Sequence, residues 1–356
     1  MQSIYVNTGS TGSGYTVAIG AGLLERLGEL MLQQSISPCR ALIITDSTVG
    51  PLYAATVERS LTEAGFTTST FTFAAGEQSK NIQTLSDALE FMAQEQLTRT
   101  DCVFALGGGV VGDVAGFAAG CYLRGIRYVQ LPTTLLAAVD SAIGGKTGID
   151  LPQGKNLAGL FWQPSAVVCD TSCLATLPKE TLLDGVVEAI KTGVLGDEAL
   201  FDLLEQEPAE ANLEAIIASC VAFKARVVEA DERESEVRKI LNLGHTIGHA
   251  IEVCSDYRVS HGQAVSAGLA MIARAALVMG YCDERAAYRI IQLLTKLGLP
   301  TETEFSTEEL TRAALHDKKR SGNRITLVLP VNIGSYLLHN ISIEELRNVI
   351  NFGRVR

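Results

Sequence analysis

Three of the chain's five histidines, His245, His249 and His261, fall within 17 residues. His245 and His249 are four apart, so on a helix they share one face. That is a two-point grip for a divalent metal such as zinc. No glutamate follows the first histidine, which excludes the zincin type of protease. The third ligand must come from elsewhere; Glu188, with Lys191 one turn on, and His261 are the candidates. Arg238, Asn242, His245, His249 and Glu252 recur at i, i+4, i+7, i+11 and i+14. This spacing predicts one helix over 238–254 with a polar stripe, backed by Leu241, Leu243, Ile247, Ala250 and Ile251 on its other face.

A second cluster is Gly107-Gly108-Gly109-Val110-Val111-Gly112-Asp113, directly after an apolar run. Gly107, Gly109 and Gly112 fit G-x-G-x-x-G at a strand-to-helix turn, which lets backbone approach a pyrophosphate at a helix N-terminus. The acid that usually holds a ribose ~20 residues further on is missing. Asp46, and Glu77 with Lys80, are candidates to replace it. A third cluster is Asp140 with Gly144-Gly145-Lys146-Thr147, answered by Gly154-Lys155-Asn156. It resembles the tail of a phosphate-binding P-loop, but Asp140 occupies the slot of the first glycine. The glycine N–H groups and the two lysines still suit a phosphate. A bare strand-to-helix turn and a hairpin with solvated lysines are the plainer readings of these two clusters.

These groups need a scaffold. Runs at 41–45, 69–73, 102–106 and 128–131 read as strands, with helices at 47–64 and 80–95, and a further helix opening at the glycine turn. This alternation predicts a parallel sheet with helices on both faces. After Leu174 helical periodicity dominates, at 178–195, 198–207, 210–231, 238–254, 260–280, 283–297 and 307–316. Only 324–329 and 335–338 read as strands there. The expectation is an α/β Rossmann-like N-terminal domain over 1–173 and a mostly α-helical C-terminal domain over 174–356.

Bulk properties narrow the function. A net charge of -11 argues against nucleic acid as a partner. The eight cysteines form no C-x-x-C pair and several sit in apolar stretches, as reduced core thiols do. Neither a signal peptide nor an apolar run of membrane-spanning length is present, so the expected location is the cytoplasm.

Taken together, the motifs resemble the 3-dehydroquinate synthases, within the sugar-phosphate cyclases. The resemblance runs from about Tyr15 to beyond Asp317. It is carried by Gly107 to Phe117, Arg124-Gly125, Pro132 to Asp140, Gly144 to Thr147, Gly154 to Asn156, Glu188 with Lys191, Asn242 to Glu252, and Asp317-Lys318-Lys319. It implies one NAD, held but not consumed, one divalent metal (zinc, with cobalt an alternative), and a homodimer. The implied metal ligands are Glu188, His245 and His261, in place of the His245–His249 pair that spacing favours; His249 then faces substrate. Asp140, Lys146, Lys155, Asn156, Lys191, Lys224, Arg238, Asn242 and Lys318 or Lys319 match substrate-pocket positions, and Arg124 matches an arginine offered to the neighbouring subunit's phosphate. Asp46, Glu77, Lys80, Gly107, Gly108, Gly109, Asp113, Thr133, Thr134 and Thr171 match NAD contacts, with Lys146 and Lys155 beside them.

The implied reaction converts 3-deoxy-D-arabino-heptulosonate 7-phosphate to 3-dehydroquinate and phosphate. It proceeds by transient oxidation, phosphate elimination, reduction, ring opening and aldol closure, in the shikimate pathway. Ala138, Ala142 and Asp150 stand where many members carry Gln, Ser and Asn. The rivals are a sister cyclase acting on glucose 6-phosphate or sedoheptulose 7-phosphate, a metal-dependent polyol dehydrogenase, and a cofactor-binding regulator without catalysis.

Overall fold

The computed structural model describes residues 1–8, 13–316 and 324–354. In chain order the first half contains β1 (Gln2–Thr8), β2 (Ser13–Gly20), α1 (Leu27–Gln33), β3 (Arg40–Asp46), α2 (Gly50–Glu63), β4 (Thr67–Phe73), α3 (Ile82–Gln94), β5 (Cys102–Gly107), α4 (Gly109–Cys121), β6 (Arg127–Pro132), β7 (Lys146–Leu151), β8 (Gly154–Phe161) and β9 (Ala166–Asp170). The second half contains α5 (Lys179–Gly196), α6 (Glu198–Gln206), α7 (Leu213–Ala230), α8 (His245–Cys254), α9 (His261–Val278), α10 (Glu284–Lys296), α11 (Thr307–His316), β10 (Arg324–Asn332), β11 (Ser335–Ser342) and α12 (Ile343–Phe352). The structure divides into two compact units, Met1–Pro178 with Leu213–Arg233, and Lys179–Asn212 with Glu234–Arg356. The chain therefore returns once to its first unit, through α7, where the sequence suggests a single cut after 173.

In the first unit seven strands form one sheet in the order β1-β2-β9-β6-β5-β3-β4. All run parallel except β1, which is antiparallel to β2. Parallel strands are covered on both faces and read as continuous apolar runs. Here Ala41 and Ile43 of β3 join Cys102 and Phe104 of β5 in one core with Leu27, Met31 and Leu61. Their neighbours Leu42, Ile44, Val103 and Ala105 point the other way, to a second core with Met92, Val111 and Val114. Helix α7 packs on β1 and β2 and on the turn Ala137–Ser141.

The chain leaves β3 for β4 on one side, then crosses to β5 on the other. The direction reverses between β3 and β5. Open α/β sheets bind ligands at that reversal, outside the carboxyl ends of the strands. At Gly112, within the glycine motif on α4, a Cβ would lie 2.7 Å from Gln130 Oε1 on β6, so a larger residue would have to displace that side chain.

The second unit is built around α9, in which nearly every side chain from Gly262 to Ala276 is buried. It packs against α5, α8, α10 and α12, and a helix apolar all round belongs inside. The continuous helix expected over 238–254 does not form. Val237–Asn242 is a tight 3-10 turn, Leu243 is extended (ψ 125°), and Gly244 is left-handed (φ +77°) before α8 starts at His245. The break has a packing cause: Gly268 of α9 sits against the Gly244 carbonyl, where a Cβ would lie only 2.2 Å away. Arg238 and Asn242 therefore lie on a separate turn from His245 and His249.

Among the described residues no helix is long and apolar enough to cross a membrane.

Candidate active site

The residues matched to NAD contacts gather along one edge of the first unit's sheet. Asp46 closes β3, Glu77 and Lys80 follow β4, and Gly107–Gly109 follow β5, with Asp113 one turn into α4. Thr133 and Thr134 follow β6, and Thr171 follows β9. All these positions are at or just beyond carboxyl ends, where the topology places a ligand. Gly108 is extended at the N-cap of α4 and no side chain caps the helix, whose N-terminus lies beside the reversal. Thr133 N–H donates to Gly107 O (3.0 Å), and the Thr134 hydroxyl accepts from Ala137 N–H (3.2 Å). Asp46 Oδ1 accepts from Thr48 and Val49 N–H at 2.8 and 2.9 Å, ordering the turn into α2.

Lys80 is the hub of this edge. Its Nζ lies 2.6 Å from Asp113 Oδ2 and donates to Asn156 Oδ1 at 2.5 Å. Burial pulls its pKa down, but Asp113 and Glu77 more than offset that and hold the ammonium charged. Asp150 N–H donates to Lys80 O (2.8 Å), while Asp150 Oδ1 accepts from Asn156 N–H (2.7 Å) and Lys155 Nζ lies 3.4 Å from Glu77. The β7–β8 ribbon is thus pinned to the turn after β4. Asp150 was visible in the sequence only as a departure from the family's asparagine. Lys146 and Lys155 do not share one turn: Lys146 pairs with Phe161 at the open end of the ribbon, while Lys155 follows Gly154, the partner of Leu151, at its closed end.

Asp140 sits in the Ala137–Ser141 turn, where Lys224 of α7 donates to its Oδ1 and its carbonyl, both at 2.6 Å. Tyr15 OH accepts from Gly144 N–H (2.9 Å) and fixes the loop before Lys146. Arg124 stands apart. It is exposed on a left-handed turn (Leu123 φ 50°, Arg124 φ 67°) before the amino end of β6, opposite the glycine edge.

The second unit brings Glu188, His245 and His261 together, one ligand atom from each lying within 4.8 Å of the others. His245 Nε2 and His261 Nε2 lie 3.6 and 3.5 Å from the same oxygen, Glu188 Oε1. A tetrahedral zinc with bonds of ~2.0–2.1 Å needs ligand atoms ~3.3–3.5 Å apart, and both histidine–carboxylate separations come close to that. The Lys191 ammonium pairs with Glu188 Oε2. His245 is lowered to about 3, by burial first and then by the Lys191 charge, which keeps its imidazole neutral and a ready ligand. Its Nδ1–H donates to Leu243 O (3.0 Å), turning the Nε2 lone pair toward Glu188. His261 behaves oppositely: burial would lower it, but hydrogen bonds to Glu188 and Glu252 push it up to about 10. A site that draws a proton this strongly has the field for a cation.

His249, Glu252 and His261 form a second, overlapping group. The His249 ring is 5.4 Å from that of His245 and 6.1 Å from that of His261. Arg238 is buried on its turn, and Asn242 Nδ2 reaches Glu234 Oε1 at 3.5 Å. Lys318, like Asp317 and Lys319, lies outside the described residues. Sequence spacing passed over Asp184, one turn before Glu188 on α5. It accepts from Ser260 OH (2.7 Å) and from Gly262 and Gln263 N–H, so it ties down the start of α9, where His261 sits.

A parallel-sheet unit together with a mostly helical one is the plan of a known class. A 2-deoxy-scyllo-inosose synthase complexed with carbaglucose-6-phosphate, NAD+ and Co2+ superposes with a TM-score of 0.87 at 26% identity, over 98% of this chain and 99% of that one. The 2-epi-5-epi-valiolone synthase of Streptomyces hygroscopicus subsp. jinggangensis 5008, with NAD+ and Zn2+ bound, gives 0.86 at 26% over 95% and 96%. A probable glycerol dehydrogenase of Sinorhizobium meliloti shares the fold at 0.67 and 16% identity. The class is therefore the sugar-phosphate cyclases. Within it, the profile described as 3-dehydroquinate synthase N-terminal matches residues 70–184, and the C-terminal one matches 185–320. The 3-dehydroquinate synthase of Streptococcus sanguinis (strain SK36) is 42% identical over 94% of this chain and 96% of its own, and that of Vibrio atlanticus (strain LGP32) is 41% identical over 99% of both. The chain belongs to the 3-dehydroquinate synthase family.

Proposed function

We propose that the protein converts 3-deoxy-D-arabino-heptulosonate 7-phosphate to 3-dehydroquinate and phosphate, as an NAD- and metal-dependent carbon–oxygen lyase. The observation that carries this reading is the grouping of Glu188, His245 and His261 within 4.8 Å of one another in a chain that also keeps the lysine-rich ribbon. A dehydrogenase has no need of Lys146, Lys155, Asn156 and Arg124 together. When bound, NAD supplies reversible hydride transfer and zinc acidifies a substrate hydroxyl. Glu188, His245 and His261 would hold the metal; the edge from Asp46 to Thr171 would hold NAD.

The remaining work belongs to fixed charges and amides. Lys224, locked by two contacts to Asp140, presents its charge without reorganisation. Asn156, held by Lys80 and Asp150, and Lys155, held by Glu77, are set for substrate oxygens. Arg238 and Asn242 bind, and Lys191 sits where it stabilises negative charge near the metal. His249 moves a proton at the substrate or contacts its phosphate. With metal-loaded protein and catalytic NAD, NMR should follow one dehydroquinate per phosphate released, with no net NADH. NADH accumulation without phosphate would mean a dehydrogenase. Phosphate release from sedoheptulose 7-phosphate alone would mean a sister cyclase.

The same reading includes a homodimer in which Arg124 serves the neighbouring subunit. Its support is the position of Arg124, away from the chain's own glycine edge, beside exposed Leu123, Leu160 and Phe161. The Gly125 backbone packs directly under Trp162, so this turn and the ribbon end are continuous. Arg124→Ala and Lys191→Met homodimers should each be nearly inactive. Re-associated at random, they should recover roughly a quarter of wild-type activity, because half the dimers are mixed and each mixed dimer has one intact site. No recovery, with mixed dimers present by native mass spectrometry, would place Arg124 in its own subunit's site.

A further inference from the structure

We infer that Glu252 is the positioning residue of the metal centre: it takes the Nδ1–H of His261 and so fixes the ring with Nε2 toward the metal. This rests on the reading of Glu188, His245 and His261 as ligands. The two imidazoles offer their Nε2 atoms to one Glu188 oxygen, so each must commit its Nδ1 elsewhere. For His245 the partner is a backbone carbonyl, Leu243 O at 3.0 Å. For His261 the partner on that side is a carboxylate, Glu252 Oε2, at 3.4 Å. Glu252 is 3% exposed, a depth at which carboxylates are kept only for a partner.

The backbone supports the same role. Glu252 lies in the last turn of α8 and His261 opens α9. The segment between them is gripped at one end by Glu252 O, which accepts from Ser255 OH (2.9 Å) and Tyr257 N–H (2.8 Å). At the other end Ser260 OH is held by Asp184. The position of His261 is therefore set from α5 and its ring orientation from α8. Glu252 also belongs to the overlapping His249–Glu252–His261 group, but as a ligand there it would share the ion with a histidine whose Nε2 already faces Glu188. A carboxylate behind a metal-bound imidazole fixes the tautomer and raises ligand basicity, and its loss typically costs ~10–100-fold in metal affinity.

The test is zinc affinity by chelator competition, with the cobalt absorption spectrum and the unfolding midpoint of the metal-free protein measured alongside. Glu252→Ala should bind zinc ~10–100-fold more weakly while keeping intense tetrahedral cobalt bands. Glu252→Gln, whose amide oxygen still accepts from Nδ1–H, should recover most of the affinity; it is the decisive variant if the alanine protein proves unstable. Affinity within twofold of wild type in both variants overturns the inference. So does collapse of the cobalt bands to weak octahedral ones in Glu252→Gln, which would make Glu252 a ligand. Glu188→Gln and His245→Ala test the ligand set separately: if they bind zinc normally while His249→Ala does not, the ligand reading fails.

Discussion

Glu188→Gln is expected to weaken zinc binding by at least ~10³-fold, beyond the roughly 10–100-fold of an outer partner, and to abolish ring formation with it. Three effects coincide. A charged ligand becomes a weak neutral one. Lys191, whose ammonium pairs with Glu188, loses that carboxylate charge beside the proposed metal position. One of the two carboxylates that bias His261 is gone. The pH dependence adds a second check. In the metal-free protein His261 is pushed up to about 10, so at neutral pH zinc must displace its proton, and affinity rises with pH by up to about tenfold per unit. Removing the Glu188 charge lowers that pKa, so the residual affinity of the variant should climb less steeply between pH 7 and 9. Titration calorimetry across that range reads both the loss and the slope. Wild-type affinity with an unchanged slope would remove Glu188 from the ligand set.

Gly268→Ala is expected to cost about 3 kcal/mol of stability, the upper end of the overpacking range. Its Cβ would lie 2.2 Å from Gly244 O and 2.9 Å from Gly248 N, and backbone cannot rotate out of the way as a side chain can. Relief requires α8 and α9 to separate, and those helices begin with His245 and His261. Weaker zinc binding should therefore accompany the lower unfolding midpoint, although residue 268 touches no metal ligand in the contacts described. A stable variant with intact metal affinity would show that the helices tolerate a wider spacing.

The alternation of β3, β5 and β6 with their helices was readable because each strand is a continuous apolar run ending in a turn signal. β1 and β2 were not, since β2 pairs with β9 from far along the chain, and pairing over such a distance leaves no local pattern. The polar stripe was legible as residue types but not as geometry. The helix break at Gly244 depends on Gly268, which spacing cannot bring to it. For the same reason the i, i+4 rule singled out His245 and His249: Glu188, the proposed third ligand, arrives from α5, and a residue on another element has no period relative to α8. Glu252 was in view as the last member of the stripe, but only the fold gives it a partner.

The return of the chain through α7 bears on how the protein is made. When residue 178 leaves the ribosome, every strand of the seven-stranded sheet has been synthesised. The helix that packs on β1 and β2, and whose Lys224 locks Asp140, has not. The nascent first unit must wait, with an apolar face uncovered, until the start of the second has been threaded out and α7 follows. Expression of 1–178 alone should accordingly yield a chaperone-bound or aggregated fragment rather than a small dinucleotide-binding protein. A shortened version would have to splice 213–233 back on. The order in which residues are joined thus commits the two halves to maturing as one product.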